Sequence, residues 1–193
     1  MQTSSNLLGR LSGIAAILGG VLWSASIFVF DLDSTITDIL FFITLLFLVG
    51  LAGLYARCRG RWGVWEALSG LGFLMSVVGL VVASIGTLGA GVQGGGFLWV
   101  SELSWWMFAF GYFILSLGLL LLGNSILQAR PLTRLRGLPL GIGILGLLVI
   151  LIPPWAFPGA GVVWVLYGLG WAVLGYVLLS GDIGSAQRSA RVR

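Results

Sequence analysis

Side chains able to carry acid–base or nucleophilic chemistry are scarce in this sequence of 193 residues. There is no histidine and no lysine, and Cys58 is the single cysteine. These absences exclude histidine-bound metals and haem, Ser-His and Cys-His nucleophiles, Schiff-base lysines, disulfides and CxxC redox pairs. The sequence therefore predicts a non-catalytic protein, with no catalytic residue, no cofactor and no metal site.

One short acidic motif in the sequence is similar to a catalytic motif. An apolar stretch runs into Asp31, Asp33 and Thr35, and residues 28–35 resemble the first motif of haloacid-dehalogenase-type phosphatases. In that family the first aspartate is the nucleophile and the second is a general acid/base. The family also needs a downstream basic residue and a later acidic pair, and this chain has neither a lysine nor that pair. We interpret the motif as an acidic turn that follows the first helix.

The elements that must position any site are long apolar segments. Hydrophobic residues make up 59% of the chain and charged residues 8%, against about 45–50% and about 25% in soluble domains. A bilayer core needs about 20 apolar helical residues. We therefore predict an all-α integral membrane protein, in which residues 1–193 form one domain. Pro153 and Pro154 are expected to end or kink the fifth helix early. The six predicted transmembrane helices are 11–30, 39–56, 67–90, 103–122, 138–157 and 162–179.

The charges indicate how these helices are oriented. All ten arginines fall on one side of the six-helix arrangement, whereas the opposite loops carry Asp31, Asp33, Asp38 and Glu102. The positive-inside rule then puts both termini in the cytoplasm. Short loops and the lack of an organelle signal favour a bacterial cytoplasmic membrane. The arginines are expected to contact anionic lipid headgroups rather than nucleic acid.

A stripe of small residues is the sharpest regularity in the sequence, and it lies in the third helix. Its members are separated alternately by three and four residues, so they share one helix face. Small stripes let membrane helices approach closely, and we expect another helix to lie along this one. The same stripe suggests a membrane-protein partner or a homo-oligomer. The members are Ser69, Gly72, Ser76, Gly79, Ala83, Gly86 and Ala90.

Two internal repeats are compatible with the six helices. Similar openings at 11–14, 68–71 and 135–138 favour three tandem helical hairpins of about 60 residues. A division into two inverted halves would instead make the glycine-rich third and sixth helices equivalent.

Two functions from different classes follow. The first is a non-catalytic accessory or assembly subunit that acts through helix packing. The alternative is a binding protein or permease for an apolar or neutral small solute, since the chain resembles the S-components of energy-coupling vitamin uptake systems in size and topology. The expected pocket for that solute consists of Trp99, Glu102, Trp105, Trp106, Trp155 and Trp164.

Overall fold

The structure is a computed structural model that describes residues 2–28, 35–58, 63–91, 98–129, 136–152 and 159–180. Within these ranges the chain forms helices and turns, without a strand. One turn of 3-10 helix, Gly63–Trp65, precedes the third helix. The six α-helices are α1 (Gln2–Ser26), α2 (Thr35–Cys58), α3 (Glu66–Gly91), α4 (Leu98–Ala129), α5 (Leu138–Leu151) and α6 (Gly161–Leu179).

The helices lie where the sequence predicts them, but several of their ends differ. α1 ends at Ser26 rather than continuing to residue 30, and it starts nine residues before the predicted 11–30 span, at Gln2. α4 has 32 residues and extends beyond 103–122 in both directions. α5 has 14 residues and ends at Leu151, before Pro153, as the two prolines predict. Polar helix ends carry no hydrophobic signal, which is why α1 and α4 are longer than their apolar cores.

Four of the six helices are long and apolar enough to cross a membrane by length and composition. They are α2, α3, α4 and α6. α5 is shorter, at about 21 Å for 14 residues with a rise of about 1.5 Å each. α1 has 25 residues, but it begins with the polar run Gln-Thr-Ser-Ser-Asn. The structure thus supports four candidate spans where the sequence predicts six.

Each helix packs against its neighbour in the chain, and α1 packs against α6, so the six helices close into a ring. Neighbours are antiparallel. Gly50 of α2, for example, lies beside Ala16 of α1, and Gly53 lies one turn further along beside Ser12. The carboxyl end of α2 therefore lies beside the amino end of α1.

The small-residue stripe of α3 packs against α4. A methyl group at Gly72 would come within 2.7 Å of the Leu122 nitrogen, and one at Gly86 within 2.6 Å of the Phe108 nitrogen. Such distances show that the two backbones are in direct contact. We call this interface the α3–α4 seam. It consists of Ser69, Gly72, Ser76, Gly79, Ala83 and Gly86 on α3, facing Ser104, Gly111 and Gly118 on α4.

A second interface of the same kind closes the ring. A methyl group at Gly13 would lie 2.8 Å from the Gly175 carbonyl oxygen, and one at Gly20 would lie 2.6 Å from the Ala172 nitrogen. Gly168 faces Gly20 in return. This α1–α6 seam, formed by Gly13, Gly20, Gly168 and Gly175, brings the first and last helices together by the close backbone approach that glycine permits.

The interfaces between the helices differ in extent. Among the described residues, α3–α4 and α1–α6 are the two most extensive interfaces, α1–α2 and α4–α5 follow, and α2–α3 and α5–α6 are smaller. The sizes of these interfaces test neither internal repeat, so the three tandem hairpins and the two inverted halves both stay predictions. In the two-halves division, Gly72, Gly79 and Gly86 of α3 would correspond to Gly161, Gly168 and Gly175 of α6.

Candidate ligand-binding site

Two helices present aromatic side chains at helical spacing toward the middle of the ring. On α4 these are Trp105, Phe108 and Tyr112, and on α6 they are Trp164, Tyr167 and Trp171. Spacings of three and four residues place each set on one helix face. All of them are buried except Trp105, which is 42% exposed. The two sets meet buried rings from the other half of the ring of helices, Trp23 of α1 and Phe47 of α2.

These rings form a continuous row, which we call the aromatic chain. It starts at the surface with Trp105, whose ring centroid lies 5.7 Å from that of Phe108, and Phe108 lies 4.7 Å from Tyr112. Tyr112 lies 5.1 Å from Trp23, which stacks on Trp164 at 5.0 Å with an interplanar angle of 8°. These separations fall within the 4.5–7 Å range of favourable aromatic pairs.

The deep end of the aromatic chain branches from Trp23. Tyr167 lies 5.2 Å from Trp23 in an edge-on arrangement, and Phe47 lies 6.1 Å from Trp23. Phe47 then stacks on Trp171 with centroids 4.3 Å apart. The aromatic chain thus runs from a surface tryptophan to the centre of the ring of helices, and it consists of side chains of α1, α2, α4 and α6.

Four polar atoms of the aromatic chain are buried without a hydrogen-bond partner. They are the indole nitrogens of Trp23 and Trp171 and the hydroxyls of Tyr112 and Tyr167. Thr44 is a polar neighbour of the Tyr112 hydroxyl and Trp171 of the Tyr167 hydroxyl, but neither pair reaches hydrogen-bond geometry. The Thr44 hydroxyl donates instead to the Leu40 carbonyl at 2.8 Å. Buried polar groups are rarely left unpaired, so this concentration calls for an explanation.

A cleft opens beside the outer part of the aromatic chain, where α5 ends. The Trp164 indole donates to the carbonyl of Ile152, one residue beyond α5, at 3.1 Å, which holds α6 against the end of the shorter helix. Residues of α4, the end of α5 and the start of α6 line a space at this point. The space is about 200 Å³. We call it the tryptophan cleft, and it is lined by Trp105, Trp106, Phe108, Ala109, Tyr112, Val149, Ile150 and Trp164.

The structure brings three of the six pocket residues expected from the sequence to this cleft. Trp105, Trp106 and Trp164 line it together. The Trp99 and Glu102 side chains lie outside the described part of the structure, and so does Trp155. The acidic turn with Asp31 and Asp33, and the side chain of Ala90 in the α3 stripe, lie outside it too.

Sequence analysis missed Phe108, Tyr112 and Tyr167 as members of a site. The usable signal was the three-then-four spacing shared by 105, 108 and 112 and by 164, 167 and 171. That spacing defines a helix face, but in an apolar helix it does not tell an inward face from a lipid-facing one. The matching face of α4 in the α3–α4 seam was also missed, although Ser104, Gly111 and Gly118 recur at every seventh position.

The chemistry of this site is uncharged. Among the residues that the structure describes, those that line the cleft and the aromatic chain include neither a carboxylate nor an arginine. Among the described residues, no group of three or more histidine, cysteine, aspartate or glutamate side chains could hold a metal ion. The site offers aromatic faces and N–H and O–H donors. No protein-family model, curated protein or solved structure matches this chain.

Proposed function

We propose that the chain is an integral membrane protein that crosses the bilayer six times. The support is an inside-out arrangement of residue sizes in α3. Its small residues face α4, and its large apolar residues face away from the protein at spacings of three and four. Water would penalise such a surface, whereas lipid does not. The exposed residues are Leu71, Leu74, Val78, Val81, Ile85 and Leu88, each 44–59% exposed.

The proposed orientation has both termini in the cytoplasm of a bacterial cell. Arg57 at the end of α2 donates a hydrogen bond to the Leu178 carbonyl near the end of α6, and its guanidinium lies beside Gly9 of α1. Arg10 and Arg136 lie near the starts of α1 and α5, which are at the same end of the antiparallel ring. This cationic end suits a cytoplasmic leaflet with anionic headgroups.

The orientation is tested by labelling single cysteines in intact cells. In a Cys58→Ala background, Asp33→Cys should react with a membrane-impermeant maleimide, and Arg59→Cys should react only after the cells are permeabilised. Reaction of both positions in intact cells, or of neither, contradicts the proposed topology.

Within this membrane protein, we propose that the tryptophan cleft binds a small neutral, lipid-soluble molecule. The observation that carries the proposal is a cleft of about 200 Å³ between α4 and α6, continuous with a buried row of aromatic rings. Binding sites for neutral molecules are mostly apolar, with a few oriented polar groups, and this site has that composition. α5 is about 21 Å long, roughly 9 Å less than a hydrocarbon core about 30 Å thick, so the cleft beside its end opens at the depth of the lipid.

A cleft-filling substitution tests this function. Ala109 lines the cleft, so Ala109→Phe should occupy it, while Ala56→Phe adds the same ring to an exposed position on α2. In lipid nanodiscs, toluene should raise the unfolding temperature of the wild type and of Ala56→Phe, and should have a much smaller effect on Ala109→Phe. An equal shift in all three proteins would show that toluene acts through the bilayer, and the proposal would fail.

The accessory-subunit hypothesis stays a prediction, with weaker support. It was based on the small stripe of α3, which in the described structure is covered by α4 of the same chain. The stripe explains how α3 packs on α4, and it leaves no such groove on α3 for a partner. Copurification from membranes tests this hypothesis, because an obligate subunit should retain a stoichiometric partner through mild detergent.

A further inference from the structure

The four unpartnered donors indicate which kind of neutral molecule the site takes. We propose that the ligand is a flat, uncharged, lipid-soluble ring compound whose carbonyl oxygen accepts a hydrogen bond from the Tyr112 hydroxyl. This inference rests on the proposed binding function and adds the chemical class of the ligand. Its basis is that Tyr112 both lines the tryptophan cleft and carries one of the buried hydroxyls that lack a partner.

The charge of the ligand follows from what surrounds the aromatic chain. The unpartnered groups are two indole N–H groups, which only donate, and two phenol hydroxyls, which donate readily. The positive ends of these donors would repel a cation, and the described residues that line the cleft include no carboxylate to balance one. An anion would need a positive charge, but the described arginines lie at the opposite end of the ring of helices. A neutral hydrogen-bond acceptor is the remaining complement.

The size and shape of the ligand follow from the cleft. An apolar cavity of about 150 Å³ accommodates benzene, so about 200 Å³ accommodates one ring with small substituents. A flat ring also suits walls made of Trp105, Phe108 and Trp164, since aromatic faces stack on planar groups. A longer apolar tail would leave through the mouth, where Trp106 is 69% exposed.

Binding requires a small movement of the aromatic chain. Tyr112 belongs to the cleft wall, and its hydroxyl is buried without a hydrogen-bond partner. Phe108 and Trp164 belong to both the tryptophan cleft and the aromatic chain. We expect a shift of these two rings to give the carbonyl oxygen of the ligand access to the Tyr112 hydroxyl. Pairing the hydroxyl would then compensate for the stacking that the shift disturbs.

The experiment compares two probes that differ in one atom group. Acetophenone is a flat ring with a carbonyl, and α-methylstyrene has nearly the same shape with a CH₂ group in place of the oxygen. Binding of each probe is measured by titration calorimetry on the protein in nanodiscs, with empty nanodiscs subtracted. The variant is Tyr112→Phe, which removes the hydroxyl and keeps the ring. The matched control is Tyr176→Phe on the exposed face of α6.

We expect Tyr112→Phe to weaken acetophenone binding about tenfold and to change α-methylstyrene binding less than about twofold. Because each probe is compared with itself across variants, partition into the bilayer cancels. Equal changes for both probes, or none for either, would overturn the carbonyl inference while leaving the binding function intact. If neither probe binds the wild type, or both bind Ala109→Phe as tightly as the wild type, the binding function itself fails.

Discussion

The two glycine seams and the aromatic chain are built on opposite principles. In the seams the backbones touch, and two serines of the α3–α4 seam donate hydrogen bonds within their own helix. Ser76 donates to the Gly72 carbonyl at 2.8 Å, and Ser69 donates to the Glu66 carbonyl at 2.8 Å. In the aromatic chain large rings fill the space, and four donors have no partner. The polar groups of the α3–α4 seam named here have hydrogen-bond partners within the protein, whereas four donors of the aromatic chain have none.

This difference is the reason why we propose a structural role for the seams and a binding role for the aromatic chain. Seams that pack backbone to backbone tolerate little displacement, because any added atom meets a peptide group. Rings in contact at 5–6 Å can shift against one another, and unpaired donors favour a state in which they are paired. The seams therefore hold α1 against α6 and α3 against α4, while the aromatic chain lies between these two pairs and is the part that we propose responds to a ligand.

The largest expected effect comes from adding one methyl group to a seam. In Gly79→Ala, the new carbon would overlap the backbone of Leu115 and lie 2.6 Å from the Gly111 carbonyl oxygen, so α3 and α4 must separate. We expect a loss of about 3 kcal/mol in the free energy of unfolding, measured by denaturation in mild detergent.

The control for this prediction is Gly141→Ala in α5, where an added methyl group meets nothing within 4 Å. There the better helix propensity of alanine should raise stability by up to about 1 kcal/mol. Equal effects of the two substitutions would contradict the assignment of Gly79 to a tight seam.

A smaller loss of stability is expected where the side chain of Arg57 joins α2 to α6. The Arg57 guanidinium donates to the Leu178 carbonyl in the last turn of α6, where helix carbonyls lack intrahelical partners. Arg57→Gln should cost about 2 kcal/mol in the same denaturation experiment. Arg10→Gln, at an exposed position on α1, removes the same charge and should change little. If the two variants lose the same amount, net charge and not the hydrogen bond is responsible.

Much of the helical layout was predictable because hydrocarbon imposes simple rules. The apolar length of α2, α3 and α6 determines where they lie, and Pro153 explains why α5 is short. The stripe on α3 predicted a close neighbour. Its partner was not predicted because α4 contributes two glycines and a serine among large residues, so its seven-residue spacing is a weak signal.

The site was less predictable because it depends on contacts between distant parts of the chain. Trp105, Trp106 and Trp164 are grouped in the sequence analysis by their expected depth in the membrane, which depends only on the position of each residue within its own helix. The part of the aromatic chain that runs from Phe108 through Trp23 to Phe47 forms only if α1 lies beside α6 and α2 lies close to both. The periodicity of a single helix does not predict the contact between α1 and α6. That contact is made by Gly20 and Gly168, which lie near opposite ends of the sequence.

A modest effect is expected at Ser24 of α1, which lies beside Gly168 of the α1–α6 seam and whose hydroxyl reaches across helices. The Ser24 hydroxyl contacts the carbonyl of Gly20 in its own helix at 3.0 Å and that of Val165 in α6 at 3.1 Å. Ser84 contacts only its own helix, at the Leu80 carbonyl, among the hydrogen bonds of the described residues. Ser24→Ala should cost about 0.6 kcal/mol and Ser84→Ala close to nothing. A larger loss for Ser84→Ala would show that this serine has a role beyond its own helix.

The smallest effect is expected in the aromatic chain, and its sign is opposite. Tyr167→Phe removes a hydroxyl that is buried and unpartnered, and the ring contacts with Trp23 and Trp171 stay. Removing an unsatisfied polar group should leave stability unchanged or raise it by less than about 0.5 kcal/mol in ligand-free protein. Ser76→Ala in the seam is the matched control, because its hydroxyl is paired. A loss of more than about 1 kcal/mol in Tyr167→Phe would mean that the hydroxyl is already paired, for instance with a buried water. The contrast between a completed seam and an incomplete aromatic chain would then no longer hold.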